Sequence, residues 1–151
     1  MDHIYWNDSF SIGEQEIDNQ HNKLFNIRNR LADCCTINNA LWSEDFHRIL
    51  GELFEYARIH FKAEEAYMQL LSYPDFLRHQ DQHNQFFNTH VVFLAEFVLS
   101  PLDISVVEKE INYLTDWLVT HILESDMPVR YYREGRLNNN ETLLLRERPL
   151  N

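Results

Sequence analysis

Glycine and proline are scarce in this chain: three and four residues among 151. A strand-and-turn architecture needs such residues at its reversals, so their shortage points to long uninterrupted helices. Cysteine is nearly absent too, and its two copies, Cys34 and Cys35, are adjacent. Neighbouring cysteines are badly placed for a stabilising disulfide, and the pair reads as small, partly buried thiols in a reducing, cytoplasmic setting. Positive charge is in deficit, with 13 Lys and Arg against 24 Asp and Glu, a formal net charge of -11. That balance excludes nucleic acid and an anionic membrane as partners, since both would repel the surface. The longest apolar run, VVFLAEFVL, is broken by Glu96 and is too short to span a bilayer. The acidic start, MDHIYWND, has no basic segment followed by an apolar one, so no secretory leader is expected. Nucleophile-base pairs, phosphate loops and dinucleotide fingerprints are also missing.

What is present is an ordinary globular composition, 44% hydrophobic and 25% charged, at a length suited to one domain. Four segments carry helical signals. The first runs from about Asp18 to Asn38, with Ile17, Leu24, Phe25, Ile27, Leu31 and Cys35 as a rough apolar stripe. The second follows Ser43, a candidate N-cap ahead of Glu44 and Asp45, and continues through Phe46, Leu50, Phe54 and Ala57 to the Ser72-Tyr73-Pro74 stop. The third opens after Pro74 and extends to about Leu99. The fourth begins near Ser105, with Glu108 completing a capping box, and is expected to end by Met127 because Pro128 follows. Short connections between four amphipathic helices predict an all-α fold, an up-down-up-down antiparallel four-helix bundle. The expected organisation is a bundle over residues 1–127, entered by an N-terminal arm. A C-terminal extension follows over residues 128–151, partly disordered or holding a short helix.

That topology has a chemical consequence. Helices one and three begin at the end of the bundle where helices two and four finish. His21 in helix one, His60 and Glu64 in helix two, His79 and His83 in helix three, and His121 with Asp126 in helix four therefore collect at one end. Residues four apart on a helix differ by only about 40° in direction, so His60 and Glu64 share a face, as do His79 and His83. Asp126 fits less well: five residues after His121, it would point about 140° away on a regular helix. Unwinding near Pro128 is the expected remedy. Either pair alone is a weak signal. Five histidines and two acids together cannot be buried without dense hydrogen bonding or a metal, for which iron, zinc and manganese all suit the donors. A solvent-exposed polar rim is the alternative.

These residues resemble the hemerythrin family, in particular its single-domain bacterial form. The resemblance covers roughly residues 6–126 and rests on Trp6 and Phe10, IGEQEIDNQHNKL at 12–24, HFKAEEAYM at 60–68, the Tyr73-Pro74 pair, HQDQH at 79–83 and WLVTHILESD at 117–126. It implies a non-haem di-iron centre with two iron ions, joined by an oxo or hydroxo bridge. His79, His83 and His121 would hold one iron, His21 and His60 the other, and Glu64 and Asp126 would bridge them. Coordination of two six-coordinate irons then leaves one open position, on the two-histidine iron, for dioxygen. Phe61, Trp117 and Leu118, beside the ligands in sequence, would form the apolar wall of that pocket, a role compatible with plain core packing. Two departures stand out: the His83–His121 interval matches the bacterial form rather than the invertebrate oxygen carriers, and 25 residues follow Asp126 where the family commonly keeps a short end.

Other polar residues are expected to lie outside the site. Glu44 and His47 form the chain's one Glu-x-x-His, but at the opposite end of the bundle, and read as surface residues. His90 lies about 10 Å along the helix from His83 and reads as a hydrogen-bonded interior or interface histidine. His3 reads as a mobile terminal residue. The tail carries five arginines against three acids, while residues 1–127 carry eight bases against 21 acids. Its LLLRERPL segment is a candidate for docking a protein partner or the acidic body, with a disordered end as the alternative. The function implied is reversible dioxygen binding for storage, delivery or sensing, by a cytoplasmic monomer rather than an enzyme. The competing readings are a di-iron redox enzyme acting on peroxide or nitric oxide, or as an oxidase, and a metal-state reporter for a signalling partner.

Overall fold

The computed structural model describes residues 1–36, 42–99 and 104–137. Four long helices form the body: α1 (Gln15–Thr36), α2 (Trp42–Leu70), α3 (Phe76–Leu99) and α4 (Ile104–His121). A π-helical turn, Ile122–Asp126, joins α4 to a short α5 (Met127–Arg133). Among the described residues there is no strand, and the long helices alternate in direction as an antiparallel bundle. Acids lie in the first turns of α1 (Glu16, Asp18) and α2 (Glu44, Asp45), where they meet the positive end of the helix dipole. α2 opens at Trp42, one residue before the expected cap. Its end is built by the backbone: Tyr73 N–H reaches back to the Met68 carbonyl at 2.9 Å while Ser72 takes the left-handed conformation, φ 51°. Pro74 then forbids continuation, and α3 begins two residues later.

The core follows the helical period. Leu24, Phe25, Ile27 and Leu31 from α1 meet Phe46, Leu50, Leu53 and Ala57 from α2. Phe86 from α3 and Val107, Ile111 and Leu114 from α4 close the cluster. Each large aliphatic side chain so buried contributes roughly 1.5–3 kcal/mol, which makes this cluster the main source of stability. Cys34 is buried and Cys35 half-buried, both as free thiols, and burial raises their pKa, so they are poor nucleophiles.

Two expectations are corrected. The last helix does not end by Met127. Pro128 lacks an N–H and its ring would strike the carbonyl four residues back, but a wider turn accommodates it, and the chain continues helically to Arg133. His3 is not a loose terminal residue: its ring lies 2.7 Å from Asp33 Oδ1, and Ile4 exchanges hydrogen bonds of 2.9 and 2.7 Å with the Asn29 amide. The N-terminal arm is thereby pinned along α1. The LLLRERPL segment lies outside the described residues. No helix among those described is long and apolar enough to cross a membrane.

Candidate metal centre

The bundle brings all seven sequence-predicted ligands to one buried cluster. His21, His60, Glu64, His79, His83, His121 and Asp126 are each at most 6% exposed. Their donor atoms form two groups, Glu64 with His79, His83 and His121, and Glu64 with His21, His60 and Asp126, and within each group the atoms lie within 4.8 Å of one another. Glu64 belongs to both. Its Oε2 lies 3.4 Å from His79 Nε2, 3.2 Å from His83 Nε2 and 4.0 Å from His60 Nε2. Asp126 divides its oxygens: Oδ1 is 3.1 Å from both His79 and His121, whereas Oδ2 is 3.2 Å from His21.

Asp126 reaches this position by a route the sequence did not reveal. The π turn places the hydrogen-bonded partner five residues back, with Met127 N–H donating to the Ile122 carbonyl. Residues five apart, such as His121 and Asp126, then come to one face, where a regular α-helix would separate them. Pro128 is the local cause, acting through a widened turn rather than through unwinding. Such π insertions commonly mark functional sites.

The donor set fits a metal pair. Both nitrogens of His21, His79 Nε2 and all four oxygens of Glu64 and Asp126 are buried without a hydrogen bond of proper geometry. The ion-pair distances above are short, but the lone pairs converge on common points instead of on donors. His83 Nε2 and His121 Nε2 face each other at 3.1 Å, an arrangement that two imidazoles adopt sensibly only around a shared proton or cation. Leaving so many polar atoms unsatisfied would cost several kcal/mol. A cation in each group would satisfy the inward-facing atoms together, all but His21 Nδ1.

Around these ligands stand residues that sequence reasoning missed. His60 Nδ1 lies 2.9 Å from Gln20 Oε1, and His83 Nδ1 lies 2.9 Å from Glu65 Oε1. Gln80 donates to the other Glu65 oxygen at 3.0 Å. The Gln20 and Glu65 contacts each fix the outer nitrogen of an imidazole and so aim Nε2 inward, and Gln80 steadies Glu65. Their positions beside His21, Glu64 and His79 in sequence were the available signal. Electrostatics divide the histidines. Desolvation pushes His60 down to about 3, and it lowers His121 despite the neighbouring Asp126. For His79 burial also opposes charge, but contact with Asp126 and Glu64 overcomes it and raises the group to about 10. His21 is raised by Asp126 against the same opposition. Burial alone would raise both acids; the surrounding imidazoles instead hold Glu64 and Asp126 well below the usual carboxylate range. Ligation requires neutral imidazoles, so metal uptake near neutral pH should release a proton from His79.

Of the three residues expected to wall a pocket, Phe61 and Trp117 lie against His83 and His121. Phe61 stacks on His83 with ring centroids 4.0 Å apart and planes 3° from parallel. Trp117 stacks on His121 at 4.5 Å. Together with Leu24, Phe86, Leu114 and Leu118 they line a cavity of about 20 Å³. Arg28 closes part of it, with Nε on the Thr115 hydroxyl at 2.6 Å and Nη1 on the Asp2 carbonyl at 2.7 Å. His90 stays outside the cluster, buried with Nδ1 on Glu110 and its ring against Phe86. Glu44 and His47 are exposed, away from the cluster.

Fold and site together define an antiparallel helical bundle built around a buried histidine-carboxylate metal centre. The Hemerythrin HHE cation binding domain matches residues 13–129, and the chain belongs to the hemerythrin family. The chain is similar to the bacteriohemerythrin of Clostridium acetobutylicum, 29% identical over 80% of this chain and 94% of the relative. A hemerythrin-like protein of Naegleria gruberi is 32% identical over 81% of this chain and 87% of its own length. A crystal structure of wild-type hemerythrin superposes with a TM-score of 0.71 at 25% identity, covering 89% of this chain and 98% of the other.

Proposed function

We propose that the centre holds two iron ions and that the protein binds dioxygen reversibly, for storage, delivery or sensing. The observation that carries this reading is the sharing of carboxylates. Glu64 belongs to both donor groups, and Asp126 turns one oxygen to each, an arrangement suited to two adjacent cations and wasteful for one. His79, His83 and His121 would hold one ion, and His21 and His60 the other, with Glu64 and Asp126 between them. When bound, the iron pair supplies redox capacity and an open coordination position for dioxygen.

The chain's own residues do the rest. Gln20 and Glu65 aim His60 and His83 into the centre. Phe61, Trp117 and Leu118 present apolar surface beside the ligands and keep water from the small cavity there. Arg28, the cavity's cation, has Nε and Nη1 committed to Thr115 and Asp2, which keeps those protons away from dioxygen. A dry wall of this kind favours reversible binding over reduction of the ligand. The free thiols and the net charge of -11 support a cytoplasmic, monomeric protein.

Metal analysis tests the centre: about two irons per chain are expected, and one zinc without iron would overturn the reading. Oxygen admitted to the anaerobically reduced protein should give a long-lived charge-transfer spectrum that reverses when oxygen is removed. Rapid conversion to the ferric form with peroxide released would instead establish redox turnover.

A further inference from the structure

Asp126 is carried by a π turn, whose hydrogen-bond geometry is less favourable than that of an α-helix, so its register needs support from outside the turn. Upstream lies α4. Downstream lies α5, seven residues long and too short to persist by its own propensity. Something must fasten it. Val129, 1% exposed, enters a separate apolar cluster with Met68 and Tyr73, and Tyr132 packs edge-on against Tyr73 with centroids 5.5 Å apart. Beyond these, two arginines reach across to the segment preceding α1. Arg130 Nη1 donates to the Ser11 carbonyl at 2.8 Å. Arg133 Nη1 donates to the Gly13 carbonyl and meets the Tyr67 hydroxyl, both at 2.9 Å. Glu134 accepts from Arg130 Nε at 2.8 Å and lies 3.7 Å from Arg133 Nη2, holding the two guanidinium groups together.

The receiving segment is shaped for this contact. Gly13 has φ +74°, and a Cβ there would stand 2.4 Å from Arg133 Nη2, so only glycine admits the approach without displacement. The segment is itself tied to α1. Asp18 accepts from the Ser11 hydroxyl at 2.7 Å and from Ile12 N–H at 2.8 Å. Asp18 lies one turn before His21. A closed circuit results: Asp126, α5, the arginines, residues 11–13, Asp18 and His21, whose Nε2 is 3.2 Å from Asp126 Oδ2.

We propose that Arg130 and Arg133 are positioning residues that latch α5 to the entrance of α1 and so hold Asp126 between the two metal positions. The inference rests on the assignment of Asp126 as a bridging ligand. Neither arginine touches the donor atoms, and exposed or half-buried hydrogen bonds of this kind add little to global stability. Their effect is geometric: released from the latch, α5 frays and Asp126 loses its alignment with His21, His79 and His121. Groups that support metal ligands in this way typically change affinity by about 10- to 100-fold when removed.

The experiment compares the iron-loaded wild type with an Arg130→Met/Arg133→Met double variant, and with Arg133→Lys and Tyr67→Phe. Iron release to a competing chelator, the charge-transfer absorption and the melting midpoint of the metal-free form are measured for each. The double variant should release iron about 10- to 100-fold faster with altered absorption bands, while its metal-free melting midpoint stays near that of the wild type. Arg133→Lys should retain most of the wild-type behaviour, since an ammonium can still donate to the Gly13 carbonyl. Tyr67→Phe, with both arginines in place, should shift release in the same direction by a smaller factor. Unchanged release and absorption in the double variant would overturn the proposal. So would equal destabilisation of the metal-free and iron-loaded forms, which marks a purely structural clasp. A wild type that fails to retain two irons would overturn the assignment of the centre instead, and is read from the control alone.

Discussion

The two ends of the bundle are built on opposite principles. At one end Leu31, Phe46, Leu50, Val107 and Ile111 pack with almost no accessible surface and no polar group among them. At the other, seven equally buried side chains are all ionisable, and many of their polar atoms have no hydrogen-bond partner. The apolar end is stable as folded. The polar end is assembled at a cost in desolvation that the apolar end sustains and bound metal offsets. Backbone geometry follows the same division. The π turn, the left-handed Ser72 and the positive φ angles of Gly13 and Gly135 all lie at or beside the polar end.

The largest effects should come from breaking the polar end at its shared ligand. Glu64→Ala removes the one carboxylate common to both donor groups, and the variant should lose bound iron almost entirely, measured as metal per chain. Its helical circular dichroism should persist. Leu50→Ala tests the other end: a cavity there should cost about 2–5 kcal/mol in denaturant unfolding, with metal stoichiometry unchanged. If Leu50→Ala depleted iron while leaving stability alone, the division of labour between the two ends would be wrong.

Glu65→Ala and Gln20→Ala act one step from the ligands. Each should weaken iron retention by about 10- to 100-fold, read by chelator competition, because an imidazole loses the partner that aims it. Acidity sharpens the contrast in the metal-free protein. His60 is depressed to about 3 from an ordinary 6.5, so below pH 6.5 the unfolded chain takes up a proton that the folded state refuses, and stability falls as pH drops toward 3. The depressed Glu64 and Asp126 add to this loss as the pH falls further. His79, raised to about 10, contributes stability present below pH 6.5 and lost as pH rises through 10. Metal-free protein should therefore be less stable on either side of pH 6.5 in urea titrations, and Leu50→Ala should shift that profile without changing its shape. The smallest effect is expected from His47→Ala, exposed at the apolar end: within about 0.5 kcal/mol of wild type, with iron content intact.

Much of the fold was legible in the residues because helix periodicity and stop signals are local. Scarce glycine and proline, apolar residues three and four apart, and the Tyr73-Pro74 break were enough for four helices and their order. Antiparallel order in turn was enough to gather all seven candidate ligands at one end, though not to aim Asp126, since residues near helix ends must meet when helices alternate. Phe61, Trp117 and Leu118 were likewise legible as neighbours of ligands along the chain. Pro128 misled, because a proline reads as a stop in sequence, and whether the chain stops or widens depends on what it can pack against afterwards. Here Val129 and Tyr132 find Met68 and Tyr73, so the helix widens and continues. His3 misled for the same reason: terminal position says nothing of Asp33 or Asn29, which lie about thirty residues away and form its anchor.

By itself, then, the sequence determined the helices, the apolar stripe and the chemistry of the donor set, all consequences of residue type and short-range spacing. Only the tertiary structure decided how Asp126 turns toward His21, how Gln20 and Glu65 orient the imidazoles, and how α5 closes against Gly13. Those are relations between side chains far apart in the chain. Their geometry depends on how packed helices are placed against one another, which no local pattern encodes.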